Sequence, residues 1–304
     1  MDTSFLGELA GLGTAAMWSF SSIFFTIGGK RVGSVIVNRA RLALAVLLVG
    51  ATHWLAFGRP FPTGAEPDRY LWLALSSLIG LVIGDSMLFQ CYVLVGARIG
   101  VLLLSLAPVF SAIFAWAALG EKMAPLEAAA MALSLGGVAW VVLERSKGTV
   151  RGREIPRRDY FLGVLFGIGA ACCQALALVT AKKGLDAGFP ALSGVMIRMS
   201  VGAILLWSMA AFQGQAFRTV RKLRADRRAS LAILGGAILG PFIGVWLALV
   251  SVQAARVGIA STLMAMTPIL SLPLVRHVFR ERISPRTLLG TLVAMAGIAV
   301  MMLV

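Results

Sequence analysis

Apolar runs of about twenty residues, broken by short polar or proline- and glycine-rich gaps, fill the chain from end to end. Their apolar positions are continuous rather than alternating, and each run is far longer than a barrel strand needs. Helices are therefore predicted and strands are not. As a helix, such a run crosses about 30 Å of hydrocarbon. The pattern predicts ten helices, over 5–27, 35–57, 70–95, 97–123 and 125–143, then 160–180, 190–212, 229–253, 255–283 and 285–304. The gaps at 58–69, with Pro60, Pro62 and Pro67, and at 213–228, which is strongly basic, read as loops. The polar gap at 144–159 divides the chain into units 1–148 and 149–304. Pro125 and Pro285 suit a first helical turn, where a missing N–H costs nothing.

The two units repeat one another. Pro108-x-x-Ser111 recurs as Pro268-x-x-Ser271, and Glu121-Lys122 recurs as Glu281-Arg282 at the same distance from each proline. Arg98-x-Gly100 recurs as Arg256-x-Gly258, with two extra residues before the second proline. Gly11 and Gly13 match Gly167 and Gly169; Arg41 matches Arg198; Gly80 and Gly84 match Gly240 and Gly244; Gly137 matches Gly297. Such self-similarity points to duplication. With five helices per unit, the second copy crosses in the opposite sense. The expected fold is an all-α integral membrane protein of ten transmembrane helices in two inverted five-helix repeats. Inverted repeats characterise transporters whose site lies near the midplane.

Composition agrees with a polytopic membrane protein. Hydrophobic residues are 59% of 304 and charged residues 13%, against roughly 25% charged in a soluble domain. The net charge of +15 would suggest nucleic acid, but the bases lie in short loops beside apolar runs, with no aromatic-basic face. Alternating the ten segments puts 21 of the 28 lysines and arginines on one side and 7 on the other. The richer side is read as cytoplasmic, with both termini outside the cell or inner membrane. Cys91, Cys172 and Cys173 sit inside apolar runs as structural thiols, with no metal-ligand spacing. An acidic start, Asp2 and Glu8, argues that the first run stays as a helix. No nucleotide-binding motif offers ATP drive.

The paired Pro-x-x-Ser…Glu-Lys/Arg blocks, the arginines Arg41 and Arg198, and the five-plus-five arrangement resemble the EamA family of the drug/metabolite transporter superfamily. The resemblance covers nearly the whole chain. It implies a ten-helix transporter, in a family of mostly exporters of amino acids and other small metabolites. Many members have a cavity lined by helices 1, 3, 4, 6, 8 and 9. The chain departs from the pattern at Arg276-His277, where members usually continue apolar.

Of thirteen acids, Asp85 alone sits mid-helix. An ionisable group at the bilayer centre costs roughly 3 kcal/mol or more, so it faces the interior, as a proton carrier, an amine counter-charge or an arginine-paired structural acid. Arg198 lies deep in its helix, placed to pair with Asp85, meet a substrate carboxylate or bond backbone carbonyls. Arg39 reads as snorkelling, Arg41 as a gate or tether, and His53 as interfacial. Trp18, Gln174 and Trp246 are mid-helix, suited to a cavity for an apolar body with one polar end or to ordinary packing. Gln90 and Gln174 need partners across helices or in substrate. Gly80, Gly84, Gly240, Pro241 and Gly244 suit close packing or hinges, and Pro108 and Pro268 kink their helices. Glu121-Lys122 and Glu281-Arg282 read as helix-end ion pairs.

The function expected is a secondary transporter exporting a small metabolite such as an amino acid by alternating access, with Asp85 available for proton coupling. Alternatives are a multidrug or nucleotide-precursor carrier, an intramembrane lipid-acting enzyme and a non-catalytic membrane subunit. The expected partners are a small-molecule substrate, protons and membrane lipids, in a monomer or homodimer, with no nucleic acid and no cofactor or metal.

Overall fold

The structure, a computed structural model, describes residues 3–119, 125–143, 156–254, 260, 263–279 and 284–303, and among these every regular element is helical. The first half contains α1 (Thr3–Val32), α2 (Ser34–Phe57), α3 (Pro67–Val95), α4 (Ala97–Leu104), α5 (Ala107–Leu119) and α6 (Pro125–Leu143). The second contains α7 (Arg157–Gly184), α8 (Ala191–Phe212), α9 (Ala216–Ala225), α10 (Arg227–Ala254), α11 (Thr267–Phe279) and α12 (Pro285–Leu303). Among the described residues, α1, α2, α3, α7, α8 and α10 are long and apolar enough to cross a membrane; the other apolar helices are shorter. Large apolar side chains such as Leu47, Leu55, Phe161, Ile204 and Phe212 point outward, as a surface solvated by lipid requires. The expected ion pairs Glu121-Lys122 and Glu281-Arg282, with Arg256 and Gly258, lie outside the described residues. Helix α11 continues through Arg276 and His277 to Phe279.

Glycine approaches fix how the halves meet. A methyl on Gly11 would lie 3.0 Å from both Ser251 Oγ and Leu263 Cβ, and one on Gly28 2.9 Å from Ile233. Low numbers on α1 therefore meet high numbers on α10, and the two run antiparallel. The same seats recur with the halves exchanged. Gly167 approaches Cys91 and Leu103, Gly184 approaches Leu73, and so α7 runs antiparallel to α3. Helices α6 and α12 pair likewise through Gly137 against Ala294 and Gly297 against Ser134. Without a hydrophobic drive inside lipid, such close backbone contact is what holds helices together.

Each proline block breaks where its missing N–H demands. Helix α4 stops at Leu104 and α5 starts at Ala107; Leu106 N–H donates back three residues to Leu103 O at 3.1 Å. The second copy repeats this, with Met266 N–H donating to Leu263 O at 3.2 Å before Pro268. Proline removes one helical bond and its ring displaces the carbonyl four residues back.

The basic gap at 213–228 differs from the expected loop, because it contains α9. Helix α8 ends on Gly214, whose φ of +66° suits only glycine, and Gln215 N–H donates to Ala210 O at 2.7 Å to close the turn. Helix α9 then lies across the bundle end, burying Thr219 while Phe217 stays 91% exposed. Beneath it Arg39 is buried rather than snorkelling. Its Nη1 donates to Gln215 Oε1 at 3.1 Å and Thr219 Oγ1 at 3.3 Å.

Candidate functional site

Helix α3 is not uniform. Over Ser77–Gly84 its turns widen, and Asp85 N–H donates to Gly80 O, five residues back. The same widening spans Ile238–Gly244 in α10, where Val245 N–H reaches Gly240 O. In α10 the cause is Pro241, which cannot donate. In α3, Leu81 O, which Asp85 would reach in a regular helix, instead accepts from Asn38 Nδ2 at 3.0 Å. A side chain of α2 thus occupies the carbonyl that the widened turn releases. One-turn widenings of this kind recur at functional sites.

Asn38 begins a polar network between α2 and α3. Its Nδ2 also donates to Ser86 Oγ at 2.8 Å, and its Oδ1 accepts from Arg41 Nε at 3.0 Å. Arg41 Nη2 donates to Asp85 Oδ2 in an ion pair. The Arg41 guanidinium lies 4.8 Å from the Phe89 ring centre and 5.9 Å from that of Phe25. A buried cation thus finds a carboxylate, an amide oxygen and two aromatic faces, partners that offset its desolvation.

This pair borders a cavity of about 70 Å³ lined by residues of both halves. Trp18, Phe25, Asp85, Phe89 and Tyr92 line it from the first half; Gln174, Arg198, Pro241 and Val245 from the second. A smaller space of about 30 Å³ shares Trp18 and Gln174 and extends to the broken turn at Ser105 and Pro108. The structure therefore brings Asp85, Arg41, Trp18, Gln174, Arg198, Gly240 and Pro241 to the larger cavity and Pro108 to its extension. Gly80, Gly84 and Gly244 do not line it; they lie in the widened turns, seated against Ala177, Cys173 and Trp18. Pro268 is buried at the head of α11.

Two expected site residues lie elsewhere. Gln90 Oε1 accepts from Ser34 Oγ at 2.6 Å, a bond between α3 and α2. Trp246 stacks near Phe242, ring centres 6.4 Å apart, in the apolar cluster with Met199 and Leu249. His53, near the end of α2, is 1% exposed, with its ring nitrogens 2.6 Å from Arg59 O in the following loop and 3.0 Å from Ser193 Oγ. Asn38 was missed, although its place three residues before Arg41 puts both on one helix face.

Polar closures stand at both ends of the bundle. On one, Arg31 Nε donates to both oxygens of Asp226, at 3.0 and 2.8 Å, joining α1 to the start of α10. Asp226 also caps α10, accepting from Ala229 N–H at 2.9 Å. These contacts, the Ala229 bond first, hold its carboxyl below the usual aspartate range. On the other, Arg69 pairs with Glu66, donates to Asp186 O and lies 5.3 Å from the Phe189 ring centre.

Comparison with known proteins places this geometry. No curated protein matches the chain. One solved crystal structure superposes with TM-score 0.63 over 97% of this chain and 94% of its own, at 18% identity, a likeness of fold alone. The profile of the EamA-like transporter family matches twice, over residues 5–143 and 161–303. That family consists of transporters rather than enzymes, and its double match identifies a multi-pass membrane protein of the drug/metabolite transporter type. The chain belongs to the EamA-like transporter family.

Proposed function

We propose that the chain is a secondary transporter of the cell membrane that exports a small amphipathic metabolite, such as an amino acid, by alternating access. In this reading ten spans form two inverted five-helix repeats, 1–148 and 149–304, with both termini on the non-cytoplasmic side. The observation that carries it is the cavity between the halves, which places the Arg41–Asp85 pair beside two widened helical turns. Its present volume of about 70 Å³ falls below the ~300–1,000 Å³ of a typical small-molecule site. Loading a solute therefore requires the cavity to enlarge, and the widened turns at Gly80–Gly84 and Gly240–Gly244 are the segments built to bend. The closures at Arg31–Asp226 and at Arg69 are the contacts to be released in turn.

Asp85 is the coupling group in this scheme. Ionised, it ties Arg41 of α2 to the widened turn of α3; protonated, it no longer attracts the guanidinium, and the tie weakens. A proton entering the cavity would thus loosen one half-bundle. The test is flux in proteoliposomes under an imposed pH gradient. Gradient-driven accumulation of a small metabolite is expected, and Asp85→Asn should abolish accumulation while keeping exchange. Absence of flux across a broad metabolite panel would defeat the transport reading, and full coupling in Asp85→Asn would remove Asp85 from it.

A further inference from the structure

Among the described residues the cavity is lined by three charged side chains, of which two neutralise each other. Arg41 and Asp85 form the ion pair, and Arg198 makes none among the described residues. Arg198 is 3% exposed, and its Nε is buried without a hydrogen-bond partner. Its backbone is well held: the carbonyl accepts from Ser77 Oγ at 2.6 Å, which fastens α8 to the widened turn of α3. The guanidinium reaches over Gly80, where a methyl group would come within 3.5 Å of Nη2. A structural arginine inside a membrane bundle satisfies its nitrogens on backbone carbonyls or an acid. Among the described residues the Arg198 guanidinium makes no hydrogen bond or direct ion pair; Asp85 acts on it only through space, and it lines the cavity.

We propose that Arg198 is the anion-binding residue of this cavity, and that its ligand is an organic monoanion, a carboxylate with an apolar body. Charge decides the class. With Asp85 committed to Arg41, the lining carries one uncompensated positive charge, and one carboxylate cancels it. A dianion such as a phosphate monoester would leave an excess negative charge in a poorly solvated space, and an ammonium ion would meet like charge. The guanidinium fork suits a carboxylate in two-pronged contact. Trp18, Phe25, Phe89 and Leu178 supply the apolar surface for the remainder of the ligand. An ammonium group is not required, because the one acid present is already paired. That this monoanion is also the transported solute rests on the transport reading above; its binding does not.

Binding to the full chain in lipid nanodiscs tests the assignment. The probes are phenyl-terminated carboxylates from benzoate to 4-phenylbutyrate, their amides and amines, and phenyl phosphate. At least one carboxylate should bind and raise the unfolding midpoint, with its amide and amine roughly tenfold weaker or more. Arg198→Gln should weaken the carboxylate roughly 10- to 100-fold, leave the amide unaffected and unfold no earlier than the parent. Arg198→Lys should retain part of the affinity, since the charge stays and the fork goes. The proposal is overturned if no carboxylate binds, if amide, amine or phosphate binds equally or better, or if Arg198→Gln keeps full affinity. Carboxylate binding with no flux of any solute in the metabolite panel would reject the transport reading and keep Arg198 as the anion site. Flux of the carboxylate, together with carboxylate affinity, that Arg198→Gln leaves intact would do the reverse.

Discussion

Removing the negative partner of Arg41 puts the buried network under its most direct test. In Asp85→Asn, Arg41 is 3% exposed and keeps Asn38 Oδ1 at 3.0 Å with the ring faces at 4.8 and 5.9 Å. Breaking a buried pair costs about 3–5 kcal/mol when one charge is left alone. The aromatic contacts return about 0.5–1 kcal/mol, and the Asp85 side chain is 18% exposed toward a space that admits water. The expected loss is therefore about 2–4 kcal/mol. Arg41→Gln leaves the carboxylate at the cavity edge, where water and a proton relieve it, at about 1–3 kcal/mol. The double variant strands no charge, so the two losses should fail to add by roughly 2–4 kcal/mol. Unfolding free energies of the four proteins in mixed micelles give this coupling directly. Additivity within about 0.5 kcal/mol would refute the claim that each charge is there chiefly for the other.

Three further outcomes are expected. Gly137→Val places branched atoms where Ala294 Cα already stands 2.8 Å from a Cβ; it should destabilise the α6–α12 pair by about 1–3 kcal/mol, and an unchanged unfolding midpoint would contradict that contact. The depressed carboxyl of Asp226 contributes stability that is full above the ordinary aspartate value of about 4 and lost as pH falls through its lowered value. The midpoint gap between parent and Asp226→Asn should be flat near neutrality and close in acid; a gap that widens in acid would reverse the sign. A cysteine replacing Arg224 of α9 should resist a membrane-impermeant thiol reagent applied to intact cells and react after lysis. Ready labelling from outside would invert the proposed orientation.

Much of the interior was legible because duplicated positions keep duplicated jobs. The paired glycines Gly11/Gly167 and Gly137/Gly297 both turned out to be seats for a helix of the other half, the first pair against side chains and the second against backbone. Asp85 stood out because no other acid lies mid-helix, and it does border the cavity. What escaped depended on groups far apart in sequence. Arg39 looked able to snorkel, but α9 folds back over it; that helix hid in a basic gap whose Thr219 and Leu223 give too short an apolar stripe to stand out. Gln90 and Gln174 look alike as mid-helix amides, yet Ser34 takes up Gln90 while Gln174 faces the open space. Trp246 sits one residue after Val245, which does line the cavity, and one residue is enough to turn a side chain about 100° around a helix. Asn38 shares a helix face with Arg41, but its second task escaped notice because the carbonyl it satisfies is approached by α2 only where α3 widens.

The exchanged glycine seats have a consequence for the origin of the chain. A single five-helix unit would lack the nearest neighbours of Gly11, Gly28 and Gly137, which all come from the second half. Among the described residues these seats are filled by helices of the second half that run antiparallel to them. Under the proposed inverted repeat, the unit from which both halves descend would have paired with an oppositely running copy of itself before the two were joined in one chain. Once fused, each copy was free to diverge at the shared space, which is how an acid came to stand in one half opposite a valine in the other.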